Sequence, residues 1–145
     1  MVSRQIWIVD FGSQYTQLIT RKTRELGHSS EIMTVNQAKE RFKNGLKPGA
    51  LVLSGGPDSV SEDKENYHEF FNQENLAVLG ICYGMQLMAR EFGGKVEKGL
   101  LGEYGHTKIH ATDGFNIPGV KGELEVWMSH FDTVTEAPKG FKRAM

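Results

Sequence analysis

The sequence predicts an α/β fold: a doubly wound, mostly parallel sheet with helices on both faces, then an antiparallel excursion after residue 94. Three observations predict it. Short runs rich in Val, Ile and Leu recur at 5–10, 31–35, 50–54 and 76–81. The run 76–81 is continuous rather than alternating, as suits a strand covered on both faces of a parallel sheet. Segments with helical spacing separate these runs, which gives the βαβα order of a right-handed crossover sheet. Beyond Gly94 the helical period vanishes, and Gly- and Pro-bearing turns join strand-like runs instead.

Residues 5–10 form the first expected strand, with a turn at Gly12 and a possible N-cap at Ser13. Tyr15, Leu18, Ile19 and Leu26 then hold helical spacing, Lys22 covers apolar surface with its stem, and Gly27 closes the helix. The second strand is 31–35, with Asn36 as N-cap of a short polar helix over 37–42. The third is 50–54, followed by a loop over 55–60 and an acidic helix around 65–71. The fourth, 76–81, leads into a helix carrying Met85, Met88, Ala89 and Phe92, which stops at Gly93 and Gly94. Later strands are expected at 95–97, 104–110 and 125–129. Residues 133–145 read as a turn entering another strand, so 1–145 is expected to be an incomplete domain. Trp7 and Trp127 are expected in the core, and 62–65 is a solvated charged face.

Composition narrows the function classes. With 39% hydrophobic residues the 145-residue chain can bury one core, and its net charge of −1 suggests neither a nucleic acid nor an anionic membrane as partner. The start of the chain carries no apolar leader, and no run approaches membrane-spanning length. A single cysteine cannot form an internal disulfide. Together these features point to the cytoplasm.

That cysteine, Cys82, lies where the fourth strand becomes a helix, inside Gly80-Ile81-Cys82-Tyr83-Gly84. This is the cysteine version of a nucleophile elbow, whose glycines permit a tight turn that lifts the nucleophile out of the sheet. The helix N-terminus favours a thiolate, so a lowered pKa is expected for Cys82. The Tyr83 N–H is available to an oxyanion.

Five segments carry a resemblance: 8–15 (Ile-Val-Asp-Phe-Gly-Ser-Gln-Tyr), 53–60 (Leu-Ser-Gly-Gly-Pro-Asp-Ser-Val), 80–86 (Gly-Ile-Cys-Tyr-Gly-Met-Gln), 103–106 (Glu-Tyr-Gly-His) and 126–130 (Val-Trp-Met-Ser-His). Through them the chain resembles class I glutamine amidotransferases, flavodoxin-like in fold, and among these the glutaminase domains of GMP synthases. The resemblance implies that Cys82 attacks the side-chain carboxamide of glutamine, with the backbone of Gly56 and Tyr83 as oxyanion hole. It further implies that Gly55, Gly56, Gln86, Ser129 and His130 bind the substrate. The implied partner is a synthetase domain, absent here, that uses ATP and Mg to aminate xanthosine monophosphate, and that domain also carries any homodimer contact. No metal or cofactor is expected in this chain.

The resemblance also exposes gaps. The family's base and its orienter lie in a His-Pro-Glu element. Here Pro48, Pro57, Pro118 and Pro138 follow Lys47, Gly56, Ile117 and Ala137, so no His-Pro exists. The histidines are His28, His68, His106, His110 and His130; His28 and His68 read as solvated, and His106 and His130 sit in family segments that do not supply the base. Phe131 and Gly102 stand where the family has glycine and arginine, and Phe131 is expected to weaken glutamine binding. The chain is therefore expected to be a C-terminally truncated glutaminase that turns over glutamine at a negligible rate. Two alternatives use other features. Residues 54–59 match the phosphate loop of ATP pyrophosphatases, against which Pro57 removes one amide and no basic residue lies nearby in sequence. Cys82 could also serve a non-catalytic redox or partner-binding module, although no resolving cysteine accompanies it.

Overall fold

The structure, a computed structural model, describes residues 4–112 and 122–144, with the side chains of 100–103 and 131 outside the description. The expectations for Gly102 and Phe131 fall on those undescribed side chains. The elements are β1 (Ile6–Asp10), α1 (Thr16–Glu25), β2 (Ser30–Thr34), α2 (Val35–Lys43), β3 (Ala50–Leu53), α3 (His68–Phe71), β4 (Ala77–Gly80), α4 (Tyr83–Glu91), β5 (Lys95–His110) and β6 (Glu123–Glu136). The first four strands pair in parallel in the order β2-β1-β3-β4, and β5 and β6 form a separate antiparallel hairpin. This is the doubly wound arrangement, whose ligands bind beyond the carboxyl ends of the strands.

The strand period of two divides the sheet into two faces. Trp7, Val9, Met33, Leu51 and Leu53 form one side, and they are buried in a cluster with Ala38 and Phe42 of α2, Phe70 of α3, and Tyr83 and Leu87 of α4. Ile8 and Val52 belong to the alternate set and are buried as well. α1 packs on β1 and β2.

Several local expectations change. α1 buries Thr16 and Thr20, while Tyr15, Leu18 and Leu26 are exposed. The threonines fit because each hydroxyl finds a partner: Thr16 donates to Asp10 at 2.8 Å and Thr20 to the Thr16 carbonyl at 2.9 Å. Ser13 caps no helix and instead accepts from the Tyr15 N–H. The N-cap of α2 is Thr34 rather than Asn36, because Thr34 and Gln37 satisfy each other's backbone N–H groups in a capping box. The acidic helix shrinks to the four residues of α3, and Glu65 lies outside it.

The larger change is at β4. Expected to be covered on both faces, it pairs only with β3 among the described strands, and Leu79 is 58% exposed. On α4 the buried positions are Tyr83, Gly84, Gln86, Leu87 and Ala89, and Met85 and, just past the helix, Phe92 are exposed. Beyond Gly94 the three short strands become two long ones, with irregular pairing between Lys98 and Glu103. Trp127 is exposed on this ribbon, stacked edge-on to His106, whereas Trp7 is buried as expected. A two-stranded ribbon has no second layer in which to bury an indole.

Candidate active site

Cys82 is the N-cap of α4, with φ 49° and ψ −111°. A positive φ on a non-glycine residue is strained by about 1–3 kcal/mol and needs support from its surroundings. The support comes from the two glycines, which supply room rather than unusual dihedrals. A Cβ on Gly80 would lie 2.6 Å from the Met85 nitrogen, and one on Gly84 would run into the Leu53 carbonyl oxygen. The turn is then fastened by backbone: Ile81 N–H donates to Leu53, and Gly84 N–H to Ser54 and Ile81. The Tyr83 N–H has no partner among the described residues.

The loop after β3 lies alongside this turn. A Cβ on Gly55 would stand 3.5 Å from the Cys82 Cβ, and one on Gly56 would stand 2.6 Å from the Phe11 carbonyl oxygen. Gly56 therefore needs a backbone without a side chain, whereas a Cβ at Gly55 would make only ordinary van der Waals contact. Ser54 anchors the start of the loop, accepting at Oγ from the Phe11 N–H at 3.0 Å.

These parts line a cavity of about 510 Å³. Cys82, Tyr83 and Gln86 come from the β4–α4 turn, and Gly56, Pro57, Asp58, Ser59 and Glu62 from the loop. The hairpin adds Lys98, Tyr104, Ser129, His130 and Asp132. The predicted residues Gly56, Cys82, Tyr83, Gln86, Ser129 and His130 thus share one cavity, whereas Gly55 lies beside Cys82 but is not part of the cavity lining. His106 and His110 lie elsewhere on the ribbon, beside Glu125 and Glu123, and His28 and His68 are exposed.

Two expectations are corrected in the cavity. Partial desolvation by the cavity walls pushes the Cys82 thiol up rather than down, although the residue as a whole is exposed. The Ser54–Ser59 loop also has cations near it: Lys98 lines the same cavity, and the Arg90 guanidinium donates to the carbonyl of Val60 at 3.0 Å.

Sequence reading missed three groups. Asp132, 4% exposed, accepts through Oδ2 from the Ser59 hydroxyl at 2.6 Å and the Val60 N–H at 3.0 Å, and its carbonyl accepts from Gln86 Nε2 at 2.7 Å. Asp132 stands two residues past His130 on the same side of β6, and that spacing is the signal that could have found it. Asp63, taken for part of a solvated face, accepts from the hydroxyls of Tyr67 and Tyr83. Arg90 donates to the carbonyls of Val60, Asp63 and Glu65 and so holds the loop to α4.

Among the described residues no cluster of three metal-ligating side chains exists, and no helix is long and apolar enough to cross a membrane. The loop over 54–59 does not run into a helix N-terminus, the next helix along the chain being the four residues of α3, so it does not fit a nucleotide triphosphate with its Mg.

Comparison with known proteins gives these features a lineage. A family model described as glutamine amidotransferase class-I matches residues 7–145. A GMP synthase (glutamine-hydrolysing) of Thermosipho africanus is 44% identical over 135 residues, covering 92% of this chain and 26% of that protein. That of Treponema denticola is 43% identical over 146 residues, covering 99% and 28%. The chain thus spans about a quarter of the length of these curated relatives. A solved structure from Thermoplasma acidophilum, described as a GMP synthase component, superposes with a TM-score of 0.82 at 33% identity, covering 98% of this chain and 72% of the other. A glutamine amidotransferase of Thermotoga maritima shares the fold, with a TM-score of 0.69 at 20% identity over 97% of this chain and 65% of the other. The mostly parallel sheet, the turn at Cys82 and the match over nearly the whole chain agree, and the chain belongs to the class-I glutamine amidotransferase family.

Proposed function

We propose that this chain is the glutaminase part of a GMP synthase. In this reading the Cys82 sulfur attacks the side-chain carboxamide carbon of glutamine. The carbonyl oxygen becomes an oxyanion received by the N–H groups of Tyr83 and Gly56. The intermediate collapses to a thioester as ammonia leaves with a proton, and water then releases glutamate and restores the thiol. Gly55, Gln86, Ser129 and His130 hold the amino-acid end. The ammonia passes to a synthetase domain, which uses ATP and Mg to aminate xanthosine monophosphate to GMP. That domain belongs to the remaining length of the relatives, in a cytoplasmic ligase.

The observation that carries this reading is the placement of Cys82, at a strained φ of 49°, in one cavity with the backbone of Gly56 and with a Tyr83 N–H that has no partner among the described residues. Turnover also needs a general base. Among the described residues no side chain hydrogen-bonds to Cys82, so this stretch alone is proposed to hold a nucleophile and an oxyanion hole without sustained hydrolysis.

The test is labelling of Cys82 by the chloroketone analogue of glutamine, with and without glutamine. Saturable labelling that glutamine suppresses supports the reading, alongside negligible ammonia release. Labelling that glutamine leaves untouched refutes it, and brisk glutaminase activity lost in Cys82→Ser would refute the missing base.

A further inference from the structure

We infer that Asp132 is a positioning residue of this glutamine site, fixing the loop that carries Gly56 and the side chain of Gln86. The inference rests on the glutaminase reading and adds a residue to it. From Leu53 to His68 the chain contains no regular element, yet Gly56 must present its backbone at a fixed place beside Cys82. The start of that loop is anchored by Ser54. Its middle is anchored by Asp132, which reaches from β6 to bind the Ser59 hydroxyl and the Val60 N–H with the same oxygen. Val60 is fully buried, so its N–H has no water to fall back on.

The second oxygen of Asp132 is buried and has no hydrogen-bond partner among the described residues. A buried carboxylate is weak evidence for stability even with two donors on one oxygen, because desolvation offsets much of what they return. Its use is geometric. The main chain of the same residue completes the link: the Asp132 carbonyl takes Gln86 Nε2 at 2.7 Å and lies 3.1 Å from His130 Nδ1. One residue thereby sets the spacing among the loop, α4 and the strand bearing Ser129 and His130. Gln86, 3% exposed, is held by this contact.

The test measures two labelling rates of Cys82 in the full chain: one for the glutamine chloroketone, which needs the aligned site, and one for iodoacetamide, which needs only an accessible thiol. Asp132→Ala is expected to lower the saturable chloroketone efficiency roughly ten- to a hundredfold, the equivalent of one charge-assisted hydrogen bond, with the iodoacetamide rate within about twofold. Ser59→Ala is expected to lose roughly three- to tenfold, and the double variant to be no worse than Asp132→Ala, since both act through one contact. Asp132→Asn, which keeps an acceptor oxygen, is expected to recover much of the loss.

Asp132→Ala labelling like the parent chain would overturn the inference, as would losses that multiply in the double variant. If Asp132→Ala does not fold, as judged by circular dichroism, the folded Ser59→Ala decides, and its labelling at the parent rate overturns the inference. Glutamine failing to protect the parent chain sinks the glutaminase reading itself, whereas protection of the parent together with indifference to Asp132 and Ser59 sinks only this inference.

Discussion

The Gly84 N–H donates to the Ser54 carbonyl at 3.1 Å, so the first turn of α4 and the start of the Gly55–Gly56 loop are tied together by main chain alone. Contact this close requires glycine at 84. An added Cβ would run into the Leu53 carbonyl oxygen and lie 2.6 Å from the Leu53 Cβ, and both belong to a fully buried strand residue. Gly84→Ala is therefore expected to destabilise the chain by about 1–3 kcal/mol, read as a lowered urea midpoint. An unchanged midpoint would mean that the strand and helix can separate without loss.

Strain at Cys82 gives the opposite sign. Its φ of 49° suits glycine, so Cys82→Gly is expected to raise the unfolding free energy by about 1 kcal/mol, the relief being offset in part by the greater freedom of glycine in the unfolded chain. Cys82→Ala keeps the strain and should stay within about 0.5 kcal/mol of the parent. Urea titration of both variants separates the two cases, and a destabilised Cys82→Gly would place no stored strain at this turn.

Two effects compete at the thiol. The α4 N-terminus favours the thiolate, and partial desolvation by the cavity walls pushes the Cys82 thiol up. With one cysteine in the chain, alkylation reports on Cys82 alone. The iodoacetamide rate should rise with pH through an inflection above the ordinary thiol range. An inflection below that range would show that the helix terminus prevails.

Asp63 sets an acid limit for the loop. Burial pulls its pKa up, but donation from the Tyr67 and Tyr83 hydroxyls and the Glu65 N–H, with Arg90 nearby, leaves it below the ordinary aspartate value of 3.8. Burial, together with the same carboxylate, pushes both tyrosines up, so they remain donors at neutral pH. A depressed folded-state pKa contributes stability that is fully present above the unfolded value and is lost as pH falls through the folded one. Asp63→Asn should therefore be less stable than the parent at neutral pH, and the gap should close as pH falls below the ordinary aspartate range. A gap that is constant with pH in urea titrations would assign Asp63 a purely steric role.

What the sequence made legible is local. The runs of β1 to β4 announce themselves because buried parallel strands are apolar on both faces, and the Cys82 turn because Gly80 and Gly84 sit two residues to either side of it. Asp132 and Asp63 escaped because their partners lie far along the chain: Val60 is 72 residues from Asp132, and Tyr83 is 20 from Asp63. A charge run around Asp63 has the composition of a solvated face, and only the fold brings two tyrosines over one of its members. Trp127 misled for the reverse reason, because an apolar residue on a strand implies a core only when a layer covers it.

The same limit applies at β4, where a continuous apolar run implied two covered faces. Leu53 and Leu79 test it. Leu53, in the neighbouring strand, is fully buried and belongs to the core cluster, whereas Leu79 is 58% exposed on a strand that pairs on one side only among the described residues. Leu53→Ala is expected to cost about 2–5 kcal/mol through lost transfer energy and a cavity. Leu79→Ala gives up only the buried fraction of its side chain and should cost less than about 1 kcal/mol. Comparable losses in urea titrations would show that Leu79 is covered in solution, whereas a large difference would confirm that residues 77–80 combine an interior-type sequence with an exposed face.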